Sequence, residues 1–212
     1  MSKFILRIIF WTIFFGAFFY FFSPTFRYIA DGPPEIFRQR PLLNKFWLVL
    51  HIVSGLVVYL TGICQFIPQI RNKKLRLHRN LGKTYIIASL ICITALYFVV
   101  SKTFCTSCQI SQFIVNSLWL IFIVLAYYFI RNGRIILHQR FMVSSFVCAA
   151  YFVTVRLIDA FAMGFFRSIT SNEFEAFLIS DFAAWVVPLS LIWLFWFATS
   201  FRQKGRMALQ TE

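Results

Sequence analysis

The chain has 212 residues, of which 60% are hydrophobic, 29 are Phe and only 13% are charged, against roughly 25% charged residues in a soluble domain. A mean hydropathy of +0.75 excludes an ordinary soluble globular domain. The formal net charge of +14 would suggest nucleic acid, but the placement of the basic residues assigns that charge to membrane topology instead.

A helix needs about 20 mostly apolar residues to cross a hydrocarbon core about 30 Å thick. Six stretches meet this requirement: 4–22, 46–67, 84–100, 113–130, 141–161 and 177–201. The third is short and extends toward Leu81. Each is predicted to be helical, because backbone groups in lipid must bond within their own segment. Barrel strands would alternate apolar and polar residues over about ten positions, and no stretch does so. The expectation is an all-α integral membrane bundle forming one domain over 1–212. Its six transmembrane helices would have spans two to five as a four-helix core, with the first and last outside it. Lys3 and Arg7 lead the first span as in a signal peptide. Its apolar run is too long for one, and no small-x-small cleavage site follows, so it reads as an uncleaved anchor.

Cytoplasmic loops carry the excess of Lys and Arg. The N-terminus, second loop, fourth loop and C-terminus together hold 14 Lys/Arg against one acid, Glu212; the other three loops hold 6 against 5 acids. Both termini are therefore expected in the cytoplasm. The basic loop 71–83 is expected to meet anionic lipid at that face, at about 1 kcal/mol per residue. Topology accounts for nearly all the charge, so no nucleic-acid partner is expected.

Ionisable groups within a span are costly and mark candidate sites. On a wheel of about 100° per residue, His51, Ser54, Gly55, Val58, Gly62 and Gln65 share one direction of span two. The glycines there suggest close approach of another helix or of a flat ligand. Started at His78, span three aligns His78, Gly82, Tyr85, Ser89 and Cys92. Started at His138, span five aligns His138, Met142, Ser145, Ala149, Phe152, Arg156 and Asp159. Asn116 in span four is expected to bond between helices.

Depth separates these residues into two groups. His51 is about 8 Å in from the outer start of span two, and Arg156 reaches a similar outer depth. His51, Arg156 and Asp159 could form an outer cluster for an anion or a quinone headgroup; alternatively Arg156 and Asp159, three residues apart, simply pair. At the inner face, His78 and His138 could meet beside Gln65, Arg79, Arg140 and Tyr85.

Facing imidazoles between helices can hold a b-type haem, with Arg on its propionates. Helix rise separates His51 from the other two histidines by about 20 Å, so only His78 and His138 could be paired ligands, with Arg79 and Arg140 nearby. The bland alternative is that both histidines bond headgroups or carbonyls. A three-His zinc site fails on the same separation, and no other metal site is expected. Cys64, Cys92 and Cys148 read as inert core residues. Cys105 and Cys108 form a C-x-x-C in the third loop, which could be a disulfide, a redox dithiol or an incidental pair.

The segments His51-x3-Gly55-x6-Gly62-x2-Gln65-Phe66, His78-Arg79-x2-Gly82-x2-Tyr85 and His138-x-Arg140-x-Met142-x2-Ser145, with Arg156, resemble a family of bacterial multi-pass proteins described only as predicted membrane proteins. The likeness runs from about Phe46 to Asp159. It implies a bacterial inner-membrane location and no assigned activity. The arrangement is also loosely similar to the four-helix cores of b561-type and ferric-reductase-like cytochromes, which use paired histidines.

Three functions follow as expectations: a membrane redox protein with one b-type haem or a quinone, a transporter or binding protein for a small anionic or amphipathic substrate, or a non-catalytic assembly subunit. No catalytic residue is assigned.

Overall fold

The computed structural model describes residues 41–102 and 106–208, together with the isolated positions Ile5, Thr12, Gly16, Phe19, Tyr20 and Ser23. Apart from those positions, the first predicted span lies outside the described residues, as does Cys105. The regular structure of the described chain is helical: α1 (Pro41–Phe66), α2 (Pro68–Lys73), α3 (Leu75–Val100), α4 (Thr106–Arg131), α5 (Ile135–Ala149), α6 (Tyr151–Phe161), α7 (Met163–Ile169) and α8 (Glu173–Ala208). It divides into two compact units, Met1–Phe104 and Cys105–Glu212.

Four segments are long and apolar enough to cross a bilayer: Leu43–Phe66, Leu75–Val100, Cys108–Arg131 and Glu173–Ser200. α5 and α6 together satisfy the same requirement as a pair bent by 47°. The molecule is thus a multi-pass helical membrane protein. Its surface has the polarity that lipid requires. Ile87, Val124, Leu191 and Phe195 are 59%, 56%, 62% and 64% exposed, whereas Ser89, Ser144 and Ser145 are fully buried. Apolar side chains displayed along whole helices are stable in hydrocarbon and would be a liability in water.

The first unit is a helical hairpin of α1 and α3 joined through α2. Pro68 stands at the start of α2, where its missing N–H would be unbonded in any case. α3 begins at Leu75, well ahead of the apolar run. Arg and Lys are good helix formers, so the helix continues through exposed Arg76, Arg79 and Lys83 before it becomes apolar. Trp47 stacks on Phe98 across the hairpin, with centroids 4.7 Å apart and planes at 15°. Hydroxyls of α1 bond locally: Ser54 Oγ donates to Leu50 O at 2.6 Å and Thr61 Oγ1 to Val57 O at 2.7 Å. Such back-bonding satisfies a hydroxyl in lipid without a second helix.

The second unit packs α8 against α4, α5, α6 and α7. Besides the spans expected at the core, this last helix contributes buried Ala176, Ser180, Asp181, Ala184, Trp185 and Leu189. α4 passes into α5 through Gly133, the positive-φ residue of the described chain, at φ +70°. Gly133 N–H bonds Ile130 O at 3.2 Å, and Arg134 N–H bonds Phe129 O at 2.9 Å. This is the paired closure of a helix end that requires a left-handed residue. The bend between α5 and α6 falls at Ala149-Ala150 in a stretch without Pro or Gly. It breaks the single stripe expected to run from His138 to Asp159.

The close approach expected at Gly55 is not enforced. A Cβ there would meet Cys92 Sγ at 3.6 Å, and one at Gly82 would meet Gln65 Nε2 at 3.8 Å, both ordinary contacts. Gly55→Ala is therefore expected to leave stability unchanged or raise it by up to about 1 kcal/mol, the helix preference for Ala over Gly. Gly133→Ala should cost about 1–2 kcal/mol for the left-handed backbone. Thermal unfolding in mild detergent compares the two; a larger loss for Gly55→Ala would refute the ordering.

Candidate functional site

In the first unit, the structure places His51 at one end of the hairpin and Gln65 with His78 at the other. His51 is half-buried on α1 with Nδ1 3.4 Å from Cys92 Sγ of α3. Gln65, nearly four turns further on, reaches across the hairpin and donates from Nε2 to the His78 carbonyl at 3.0 Å. Cys92 and His78 stand on one continuous helix, so the histidines are about 20 Å apart by helix rise, and His51 cannot share an iron with His78. Tyr85 is fully buried and Arg79 is exposed.

In the second unit, His138 uses Nδ1 to bond Ala126 O at 2.9 Å. A carbonyl oxygen only accepts, so the proton is on Nδ1, and Nε2 carries the lone pair. Gln65 and His138 thus have the same structural role, each tying the start of one long helix to the end of an earlier one through a main-chain carbonyl. Arg156 is half-buried and Asp159 exposed on α6, and the charge of Arg156 acts on the Asp159 carboxylate. The two residues stand three apart on one helix, the spacing at which side chains are neighbours. Asn116 is 1% exposed, as an interhelical role requires.

Arg140 is the predicted residue with the most developed surroundings. Its guanidinium lies 5.6 Å from the Trp196 ring centroid, and Nη2 donates to Ser200 Oγ at 3.1 Å. Trp193 Nε1 donates to Ser144 Oγ at 3.1 Å, and that hydroxyl in turn bonds Arg140 O at 3.0 Å. Phe141 packs edge-on against Trp193, and Trp193 edge-on against Trp196. Arg140, Ser190, Trp193, Leu194, Trp196, Phe197 and Ser200 line an open groove of about 790 Å³, in which Leu194 and Phe197 are each 63% exposed. Its walls are apolar and aromatic, with one fixed cation held by stacking and a hydroxyl. Mostly apolar concavities with a few placed polar groups suit small ligands.

Sequence reasoning missed the opposite end of this unit. Tyr151 OH donates to Asp181 Oδ1 at 2.5 Å, and Trp185 Nε1 donates to Ser111 Oγ at 2.9 Å. Asp181 is 3% exposed. Counting it with the fifth loop as a neutralising acid hid it; its place inside the apolar run 177–201 was the available signal. Trp193 and Trp196 were missed because aromatic residues throughout the chain resemble lipid-facing bulk.

Among the described residues no three or more His, Cys, Asp or Glu gather as metal ligands. Cys108 is disulfide-bonded, while Cys64, Cys92 and Cys148 are free.

A family model described as Predicted membrane protein (DUF2306) matches residues 48–196. No curated protein and no solved structure matches the chain. Of the two resemblances read from the sequence, the membrane-protein family is the one this match supports.

Replacing Gln65 by Ala should lower stability by about 1 kcal/mol, the usual net worth of such a bond. An unchanged unfolding midpoint in detergent would show that the Gln65–His78 contact carries no weight.

Proposed function

Because the chain belongs to that family of predicted membrane proteins, we propose that it is a bacterial inner-membrane protein that binds a small amphipathic ligand with an acidic headgroup, with Arg140 as counter-charge. The observation that carries this reading is the open groove between α5 and α8. Its apolar, aromatic walls would take a hydrocarbon or ring system, and its guanidinium would take the acid. Stacking on Trp196 and the bond to Ser200 leave other N–H groups of the guanidinium for a bidentate contact, the geometry in which Arg binds carboxylate and phosphate best.

The sidedness of the basic residues supports placing this end of the unit at the cytoplasmic face, with both termini. Arg71, Lys73, Lys74, Arg76, Arg79 and Lys83 are all exposed on α2 and the start of α3. They form a polybasic surface suited to anionic lipid. An anionic phospholipid and a soluble amphipathic acid share the required chemistry.

A second reading rests on His138. Its Nδ1–H bond to Ala126 O leaves Nε2 as an electron-pair donor, the tautomer and second-sphere bond of a metal-ligating imidazole. His138 would hold a b-type haem through Nε2, with Arg140 of the same unit for a propionate. The haem would supply one-electron chemistry when bound.

Two experiments separate these readings. Brominated anionic amphiphiles, a fatty acid and a phosphatidylglycerol, should quench the tryptophan fluorescence of the purified protein. Binding should weaken about tenfold or more in Arg140→Gln, equivalent to about 1.4 kcal/mol, while a brominated zwitterionic lipid should show no such difference. Equal affinities for wild type and Arg140→Gln would refute the anionic-ligand reading. For haem, a reduced-minus-oxidised spectrum should show a b-type signal that disappears in His138→Ala. A featureless spectrum from folded, haem-supplemented protein would eliminate the second reading.

A further inference from the structure

The Tyr151–Asp181 pair lies at the other end of α8 from the Arg140 groove. Asp181 and Ser200 are separated by about 28 Å of helix rise. We propose that Asp181 is the carboxylate of a monovalent-cation site, occupied by a proton or by sodium.

Three observations support the assignment. First, the carboxyl is enclosed: Asp181 is 3% exposed, and Oδ2 is buried without a hydrogen-bond partner. Second, the other oxygen is fixed, since Oδ1 accepts from Tyr151 OH at 2.5 Å. The carboxyl therefore has a set orientation with one oxygen uncommitted. Third, polar groups flank it. Ser111 Oγ accepts from Trp185 Nε1 at 2.9 Å and hydrogen-bonds the Asp181 carboxyl, and the Gln112 side chain hydrogen-bonds the Tyr151 hydroxyl. The carboxylate oxygen and the serine hydroxyl are hard oxygen ligands, which suit a proton or a small hard cation rather than a soft metal.

The charged groups around Asp181 do not neutralise it. On α6, the Asp159 carboxylate acts on both Tyr151 and Asp181, and Arg156 acts on Asp159. On α7, Arg167 bonds Glu173 at 3.0 Å at the exposed surface. In the first turn of α8, Glu175 is exposed and accepts from Thr170 Oγ1 at 2.6 Å. From α4 the neighbours are the uncharged Ser111 and Gln112, and the cations of α5 and of the end of α4 lie at the opposite end of the unit. Among the described residues of this unit, Asp159 acts on Asp181 and no cation does. A buried carboxylate with a free oxygen and no counter-charge is strongly disfavoured. A bound proton or sodium ion on Oδ2 supplies the missing positive charge. Intramembrane carboxyls of this kind are where proton and ion pathways are built.

The test uses the full chain in detergent micelles with dicyclohexylcarbodiimide. The reagent adds to a protonated carboxyl in an apolar site to give an O-acylisourea, which rearranges to a stable N-acylurea; peptide mapping locates the adduct. In sodium-free buffer at low pH, Asp181 should be labelled, and labelling should be lost as pH rises. Protection by NaCl relative to choline chloride assigns sodium as a second occupant; insensitivity to sodium assigns the proton alone. Absence of labelling at Asp181 across the series, or labelling indifferent to both pH and sodium, overturns the proposal. Asp181→Asn should also abolish any sodium dependence and reduce the pH dependence of the unfolding midpoint. Should that variant fail to fold, Tyr151→Phe keeps the carboxyl and frees Oδ1. A shifted pH midpoint for labelling then supports the site, and an unchanged one overturns it.

Discussion

Hydrocarbon offers no hydrogen bonds, and the rest of this structure follows from that constraint. It makes every crossing segment helical and turns the apolar side chains outward. Each polar side chain must also find a partner within the protein. Ser54 and Thr61 bond their own helix, and so do Ser144, Ser145 and Ser200. Side chains that reach further bind particular helices together. Gln65 joins α1 to α3 and His138 joins α5 to α4, both through main-chain carbonyls. Trp185 and Trp193 join α8 to α4 and α5 through serine hydroxyls. In water these bonds would compete with solvent and add little; in lipid the alternative is an unsatisfied group.

The two polar ends of the second unit illustrate different uses of the same rule. At the Arg140 end, a cation is held over an indole face and against a hydroxyl beside an open apolar groove. That arrangement leaves charge available to a ligand. At the Asp181 end, a carboxyl is closed in by Tyr151, Ser111 and Trp185, and its charge must be answered locally. One end is suited to an amphiphile and the other to an ion too small to need a cavity. α8 carries both ends, which is why this last helix matters more than its position in the chain suggests.

The sequence made the membrane class, most of the spans and the candidate cations legible, because these depend on composition and on one-dimensional runs. Arg140, His138 and Gln65 were identifiable as polar residues at helix ends. Their partners were not, since Ala126 O, Ser200 Oγ and His78 O are brought to them by packing. The stripe from His138 to Asp159 failed as a single face because the wheel assumes a straight helix, and the chain bends by 47° at Ala150. The glycine argument failed for a related reason. A missing side chain permits close approach but does not show that a neighbour takes it, and Gly55 has room for a Cβ.

By itself, the sequence determined that the chain is helical, membrane-embedded and strongly asymmetric in its basic charge. Those properties are set by how much apolar surface each run carries and where the lysines and arginines interrupt it. The tertiary structure decided which polar groups are satisfied and which are not. It stacked Arg140 on Trp196 beside an open groove, and it buried Asp181 with one oxygen bonded and one bare. Both outcomes depend on contacts between residues 30 and 60 positions apart, Tyr151 with Asp181 and Arg140 with Ser200, and no local pattern encodes a partner at that distance.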